Sequence, residues 1–139
     1  PAFGGAFGIR ILTGADVRRE GHMDQQQADR IAADWVDAWN AHDLDRIVSH
    51  YADSLEFVSP LVVERLGRPD GTIRSKAELR DYFAVGVAPG SELKFELIDV
   101  LPGVSSVTLY YRNHRGRTVA ETMFFGPDGK VVRAAVHYH

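Results

Sequence analysis

The segment from Trp35 to Pro60 constrains the fold of this chain more than any other part of it. It reads WVDAWNAHDLDRIVSHYADSLEFVSP, in which two apolar stripes at three-to-four spacing are separated by a short polar corner. Asp43 is placed to cap the second of two predicted helices. Proline ends the strand that follows, because it cannot donate to a ladder. The segment therefore predicts a helix, a tight corner, a second helix and a short strand at 55–59 that enters a pocket.

The rest of the chain predicts a third helix followed by a sheet. A long polar loop through 68–71 leads to Ser75 and Glu78, which have the spacing of a capping box at a helix start. Turn residues then separate four strands in a meandering antiparallel order. These strands are expected at about 93–101, 106–114, 118–125 and 130–138. In the last strand, the residues expected to face the helices are Val132, Ala134, Val136 and Tyr138.

Composition limits the partners of the chain. Its 139 residues suit one domain, and the formal net charge of −3 is spread without runs of like sign. A nucleic-acid partner and an anionic membrane are therefore not expected, and no apolar run is long enough to span a bilayer. The absence of cysteine excludes disulfides and thiolate chemistry and is compatible with a cytoplasmic location. A small, neutral, hydrophobic molecule is the favoured partner.

Residues 1–23 differ from the rest of the chain. They are rich in glycine, have no helical or strand period, and lack the basic start and apolar run of a signal peptide. Met23 would be a natural initiator, and the His22-Met23 pair looks like a cloning junction. We therefore divide the chain into an extension at 1–23 and a single domain at 24–139. The extension is either extraneous or a native arm that packs on the domain or on a partner subunit.

The segment 35–60 resembles, without gaps, the opening of ketosteroid isomerase. Together with the later strand that carries Glu121, it makes the chain similar to the SnoaL-like, nuclear-transport-factor-two-like superfamily, which includes polyketide cyclases. The resemblance covers about 28–138. It implies an α+β, cone-shaped, cystatin-like fold in which three helices pack on a curved antiparallel sheet around one deep apolar pocket. It also implies chemistry without a cofactor, and a symmetric homodimer formed through the outer sheet face that carries Arg133, Ala135 and His137.

Three catalytic positions of the isomerases can be compared with this chain residue by residue. The tyrosine that stabilises the oxyanion corresponds to Trp35, which keeps one N–H donor and lacks the hydroxyl. The aspartate base corresponds to Ser59, which without a partner cannot take a proton from carbon near neutral pH. The protonated aspartate corresponds to Glu121. The resemblance therefore implies that the chain is not a standard steroid isomerase but retains a carboxyl group on its penultimate strand.

The alternation of the strand at 118–125 supports a special role for Glu121. Val119 and Met123 share its parity, so one carboxyl group is placed on an otherwise apolar face. Burial there would raise its pKa and let it serve as a hydrogen-bond donor or as a base. The alternative is an ion pair with Arg112 on the neighbouring strand, which would keep the carboxylate ionised.

Tyr110 is the other candidate for a catalytic group, beside Glu121 and Trp35. It would lie opposite Glu121 if the intervening hairpin has a two-residue turn, whereas a three-residue turn substitutes Leu109 and turns Tyr111 inward. Aromatic and apolar side chains of the expected cone either line a ligand cavity or form plain core. The candidates for substrate binding are Trp39, Tyr51, Phe57, Ser59, Tyr82, Phe83, Met123, Ala134, Val136 and Tyr138.

Histidine and aspartate patterns give weaker signals. His50 is interpreted as a solvated histidine of a helix surface. His137 and His139 have the spacing of a metal-binding pair, but no third ligand is evident, and we therefore predict no metal site. An epoxide-hydrolase-like Asp-Arg-Asp network is not favoured, because only Asp99 and Arg112 are plausible members of it.

Two functions remain open from the sequence. The first is a cofactor-free isomerase, lyase or cyclase of a small hydrophobic carbonyl compound, with Glu121 as acid or base and Trp35 or Tyr110 as electrophilic support. The second is a non-catalytic pocket protein that binds such a compound or mediates association. The fold cannot choose between them, since function depends on the site.

Overall fold

Residues 22–139 are described by the structure, a computed structural model. The expectations for 1–23 therefore lie outside the described residues, apart from the last two positions. Met23 is buried, and its backbone N–H donates to the carbonyl of Val104 at 3.2 Å. Met23 thus packs with the domain.

Four helices and six strands form within the described residues. The helices are α1 (Gln25–Asn40), α2 (Leu44–Val48), α3 (Pro60–Leu66) and α4 (Lys76–Gly86). The strands are β1 (Tyr51–Val58), β2 (Thr72–Ser75), β3 (Glu96–Pro102), β4 (Ser106–Arg112), β5 (Thr118–Phe125) and β6 (Val131–Tyr138). The helices pack against a curved sheet that is largely antiparallel, and the predicted α+β cone is confirmed.

The sheet places β5 near its middle. Its strand order is β2-β1-β6-β5-β4-β3, in which β1 and β6 run parallel and the other neighbours run antiparallel. The predicted meander of the last four strands is confirmed. Because β5 has a hydrogen-bonded neighbour on each side, a side chain on its inner face lies over the centre of the sheet.

Local sequence signals explain where the helices begin. The Asp43 carboxylate accepts from the N–H of Arg46 at 3.2 Å, and the Ser75 hydroxyl accepts from the N–H of Glu78 at 3.2 Å. Both predicted caps are confirmed. The Glu78 side chain does not accept from the N–H of Ser75, as a capping box requires, and instead forms a bidentate ion pair with Arg68. The loop before α4 is therefore tied to the helix that follows it.

The region between β1 and α4 was predicted as a loop, and that expectation is wrong. Ser59 caps α3, and Pro60 occupies its first turn, where the missing N–H of proline costs nothing. Gly67 ends α3 at a φ of 64°, a conformation that glycine adopts freely. The proline that ends β1 thus also starts α3, and β2 follows α3 in the chain.

One inward position of β6 was also predicted wrongly. The β5–β6 register shifts between Phe124 and Phe125, whose partners are Arg133 and Val131. This bulge adds a residue to β6, so Val131 is buried and Val132 is 38% exposed. Beyond the bulge the predicted alternation holds, and Ala134 and Val136 face inward.

Candidate active site

A cavity of about 740 Å³ opens over the inner face of the sheet. Side chains from α1, α4, β1 and the last three strands line it, so it is the pocket that the cone was expected to enclose. Its buried carboxyl group is that of Glu121, behind an aromatic wall. The aromatic residues of the wall are Trp35, Trp39, Phe57, Tyr82, Phe83, Phe95, Tyr111 and Tyr138.

Glu121 lies on the inner face of β5 between Leu109 of β4 and Val136 of β6. Only 4% of the residue is exposed. The Tyr111 hydroxyl donates to its Oε1 at 3.2 Å, and its Oε2 has no hydrogen-bond partner among the described residues. Burial raises the pKa of Glu121 to about 7, and the bond from Tyr111 opposes that rise. Both protonation states of Glu121 are thus populated near neutral pH.

The turn between β4 and β5 decides which tyrosine reaches Glu121. The N–H of Asn113 donates to the carbonyl of Arg117 at 2.9 Å, which leaves a three-residue turn with Gly116 at a φ of 80°. Leu109 is therefore the partner of Glu121, and Tyr111 points inward. Tyr110 lies on the outer face and is 37% exposed. The prediction for Tyr110 is wrong, and Tyr111, the alternative, occupies the site.

The same register separates Arg112 from Glu121. Arg112 is exposed on the outer face with Tyr110, and the alternative of an ion pair with Glu121 is wrong. Asp99, the β3 partner of Tyr110, is exposed as well. Neither member of the unfavoured Asp-Arg-Asp network therefore lies in the cavity.

The two tryptophans differ in the state of their N–H groups. Trp35 Nε1 donates to the Tyr51 hydroxyl at 3.3 Å, and both residues are buried. Trp39 Nε1 is also buried and has no acceptor within residues 22–139. Because an unpaired buried donor is costly, Trp39 is the better candidate to donate to a bound molecule. The donor role predicted for Trp35 is already taken by Tyr51.

Ser59 is held at the cavity wall by its backbone. Its N–H donates to the carbonyl of Gly71 at 2.9 Å, and its hydroxyl accepts from the N–H of Leu61 at 3.3 Å. Gly71 has a φ of 62°, and a Cβ there would lie 2.9 Å from the carbonyl oxygen of Ser59, so glycine is required. Burial raises the pKa of Tyr82 and that of Tyr138, the latter to about 12, and the Ser59 hydroxyl opposes both rises.

Seven of the ten predicted substrate-binding residues line the cavity. Three do not, namely Tyr51, Met123 and Ala134, each of which is at most 1% exposed in the core behind the wall. Those three predictions are wrong, since strand and helix periodicity reports the face of a residue and not its depth. The seven are Trp39, Phe57, Ser59, Tyr82, Phe83, Val136 and Tyr138.

Two polar residues of the α1–α2 corner, which no sequence pattern predicted, hold the backbone of Leu93 and Phe95 at the cavity wall. The Asn40 side chain accepts from the N–H of Phe95 at 2.7 Å and donates to its carbonyl at 2.9 Å. His42 Nε2 lies 2.7 Å from the carbonyl of Leu93. Phe95 then stacks on Trp35, with ring centroids 5.7 Å apart. No periodic pattern marks these contacts, which join residues far apart in the chain.

His50 is not the solvated histidine that was expected. Its Nε2 lies 2.7 Å from a carboxylate oxygen of Asp34, in a second, smaller crevice of about 240 Å³. No group of three or more histidine, aspartate or glutamate side chains in the described part of the chain is arranged to hold a metal ion. No helix of residues 22–139 is long and apolar enough to cross a membrane.

The cone and its inward carboxyl group define a nuclear-transport-factor-two-like domain. Residues 32–139 match the family described as the SnoaL-like domain, and the chain belongs to that family. A comparison with curated protein sequences returned no match.

Solved structures that share the fold include the following three. A SnoaL-like protein of unknown function from Burkholderia thailandensis E264 is 44% identical, with a TM-score of 0.80 over 84% of this chain and 98% of that one. An NTF2-like protein of unknown function from Cytophaga hutchinsonii is 10% identical, with a TM-score of 0.62 over 95% of each chain. SalBIII, an epoxide hydrolase/cyclase-like enzyme with a role in pyran ring formation in the polyether salinomycin, is 19% identical, with a TM-score of 0.63 over 84% of this chain and 93% of that one.

Proposed function

We propose that the protein is a cofactor-free enzyme that transfers a proton on a small hydrophobic carbonyl compound, as an isomerase, lyase or cyclase does. One observation carries the proposal. The carboxyl group of Glu121 is buried in an aromatic cavity, its pKa is raised to about 7, and its Oε2 has no partner among the described residues. A group whose pKa lies near the working pH is the most effective acid or base.

The chemistry follows from the groups that face the cavity. Ionised Glu121 would take a proton from the carbon next to the substrate carbonyl. The product is an enolate, whose negative charge lies mainly on the former carbonyl oxygen. The free N–H of Trp39 is the candidate donor to that oxygen. Glu121 would then return the proton to another carbon, which completes an isomerisation. In a cyclisation the enolate carbon attacks a second carbonyl of the same molecule, and Glu121 protonates the resulting alkoxide.

Tyr111 would position Glu121 in this scheme. Burial and the nearby Glu121 raise the pKa of Tyr111 well above its ordinary value, so its hydroxyl stays protonated and donates to Oε1. That bond leaves Oε2 for the substrate. The ring-forming role of SalBIII, which is 19% identical, supports the idea that such a cone can host cyclisation.

The alternative is a pocket protein without catalytic activity, and one observation favours it. Ser59, at the position of the isomerase base, is engaged as the cap of α3. Glu121 is then the remaining buried candidate base in the cavity, and if it does not transfer protons the cavity only binds a ligand. The homodimer and the cytoplasmic location expected from the sequence remain part of either proposal.

Hydrogen–deuterium exchange tests the enzymatic reading before a substrate is known. A panel of small cyclic and aromatic ketones is incubated in D₂O with the wild type, with Glu121→Gln and with Glu56→Gln, and exchange next to the carbonyl is followed by proton NMR. Glu56 is an exposed carboxylate of β1 and serves as the matched control. We expect Glu121→Gln to slow exchange by about 10² to 10⁴-fold and Glu56→Gln to match the wild type. Binding of a ketone with no enzyme-dependent exchange would favour the alternative.

A further inference from the structure

The mouth of the cavity is lined by basic side chains. Arg65 of α3 and Arg117, next to the β4–β5 turn, line the same cavity as Glu121, together with Arg115 and His114 of the turn itself. Glu92 is an exposed carboxylate that lines the same cavity. None of the three arginines forms an ion pair with an aspartate or glutamate side chain of residues 22–139.

Two of these arginines are held over aromatic rings of the cavity wall. The guanidinium carbon of Arg117 lies 4.8 Å from the ring centroid of Tyr138, and that of Arg65 lies 5.9 Å from the ring centroid of Tyr82. A guanidinium stacked on a ring keeps most of its N–H donors for a second partner. The Nε of Arg117 also donates to the main-chain oxygen of His139 at 3.4 Å.

The charge of Arg65 reaches into the cavity. It lowers the pKa of both Tyr82 and Tyr138, against the rise that burial causes. Glu121 acts in the opposite sense and raises the pKa of both tyrosines. The cavity therefore has a positive mouth and a buried carboxyl group, although the whole chain carries a net charge of −3. An anion entering it would be attracted to the mouth and repelled by ionised Glu121.

We propose that the ligand of this cavity carries an anionic group, such as a carboxylate, that binds Arg65 and Arg117 while its apolar, carbonyl-bearing part lies against the aromatic wall. The inference rests on the proposed function, because it takes this cavity as the substrate site. It deepens that function by naming the substrate class, an amphipathic acid, in place of the neutral molecule expected from the net charge. The separation of charges would also orient the substrate, with its carbonyl toward Glu121.

A pair of dyes tests the proposal without knowledge of the substrate. The anionic 8-anilinonaphthalene-1-sulfonate and the neutral N-phenyl-1-naphthylamine share one aromatic skeleton and differ in the sulfonate. Trp35 and Trp39 are the two tryptophans of the sequence and both line the cavity, so quenching of their emission reports binding of a dye near them. The variants are Arg65→Gln/Arg117→Gln and, as a control, Arg133→Gln. Arg133 stacks on Phe124 at 5.7 Å and does not line the cavity.

We expect the double variant to raise the dissociation constant of the sulfonate dye about tenfold, or about threefold per arginine, and to leave that of the neutral dye unchanged. Arg133→Gln should alter neither dissociation constant. Added salt should weaken binding of the sulfonate dye to the wild type and to Arg133→Gln, and much less to the double variant. The proposal would be overturned if the double variant lost affinity equally for both dyes or for neither. It would also be overturned if neither dye quenched the tryptophan emission of the wild type. Unchanged binding of the neutral dye also verifies that the double variant is folded. Since the test reads binding alone, its outcome is independent of whether Glu121 transfers protons.

Discussion

The Tyr111 hydroxyl donates to Oε1 of Glu121 at 3.2 Å across neighbouring strands of the sheet, at the wall of the cavity. This bond uses one oxygen of a buried carboxyl group and leaves the other, Oε2, without a partner in the described part of the chain. It also lowers the pKa of Glu121, which burial alone would raise further. One hydroxyl group thus controls both the orientation and the acidity of the candidate acid or base.

Removal of that hydroxyl should raise the pKa of Glu121. In Tyr111→Phe the carboxylate loses a donor that favours its ionised form, while its burial is unchanged. Carbon-13 NMR titration of the glutamate side chains should therefore find a midpoint above the wild-type value. Tyr110→Phe is the matched control, because the neighbouring hydroxyl lies on the outer face and should leave the midpoint unchanged. An identical midpoint in Tyr111→Phe and the wild type would contradict the assignment of this bond.

Glu121 should make the folded state less stable as the pH rises. Its pKa in the folded state, about 7, is above its ordinary value of 4.5, so between these values the folded state binds more protons than the unfolded state. The stabilising effect of the proton is therefore fully present below pH 4.5 and is lost by about pH 7. Glu121→Gln cannot ionise. From pH 4.5 to pH 7, the free energy of unfolding of the wild type should therefore fall by about 3 kcal/mol relative to that of Glu121→Gln.

Urea unfolding at several pH values measures this difference. Other carboxylates, such as the ion-paired Asp34, Asp70 and Glu78, titrate at lower pH and contribute equally to both proteins. Their effect cancels in the comparison. Profiles that run parallel from pH 4.5 to pH 8 would contradict the raised pKa.

The Asn40 side chain should stabilise the wall that carries Phe95. Asn40→Ala removes two hydrogen bonds to the backbone of Phe95, so we expect the free energy of unfolding to fall by about 1 to 2 kcal/mol. Asp37→Ala, on the exposed face of the same helix, should change it by less than about 0.5 kcal/mol. Chemical denaturation compares the two variants, and equal stability of Asn40→Ala and the wild type would exclude a positioning role for this amide.

The outer face of the sheet should form the proposed homodimer. It exposes Leu101, Tyr110 and Phe124, which are 53%, 37% and 38% exposed. Light scattering should return about twice the 15.4 kDa of one chain. Phe124→Asp should return a single chain, whereas Val85→Asp, at an equally apolar exposed position of α4, should leave the dimer intact. A single-chain mass for the wild type at micromolar concentration would count against the dimer.

Local patterns predicted most of the fold. The caps at Asp43 and Ser75, and the alternation of β5 around Glu121, depend on neighbouring residues and were therefore readable from the sequence. The short helix after Ser59 was missed because proline was read as a strand end alone. The bulge that buries Val131 was missed because it is set by pairing with β5.

The site was less predictable because it depends on register and depth. A difference of one residue in turn length exchanged Tyr110 for Tyr111. Parity placed Met123 on the correct face, but the residue lies in the core behind the cavity wall. Which tryptophan keeps a free N–H depends on Tyr51, which pairs with Trp35 and leaves Trp39 without an acceptor in residues 22–139.

The most direct test of the account is the titration of Glu121 itself. Carbon-13 NMR of protein labelled in its glutamate side chains, with Glu121→Gln used to assign the signal, gives the pKa of this group in the folded protein. We predict a midpoint near 7, because the carboxyl group is buried in an apolar cavity and accepts one hydrogen bond from Tyr111. A midpoint at or below the ordinary value of 4.5 would contradict the account, since Glu121 would then be a plain carboxylate at neutral pH.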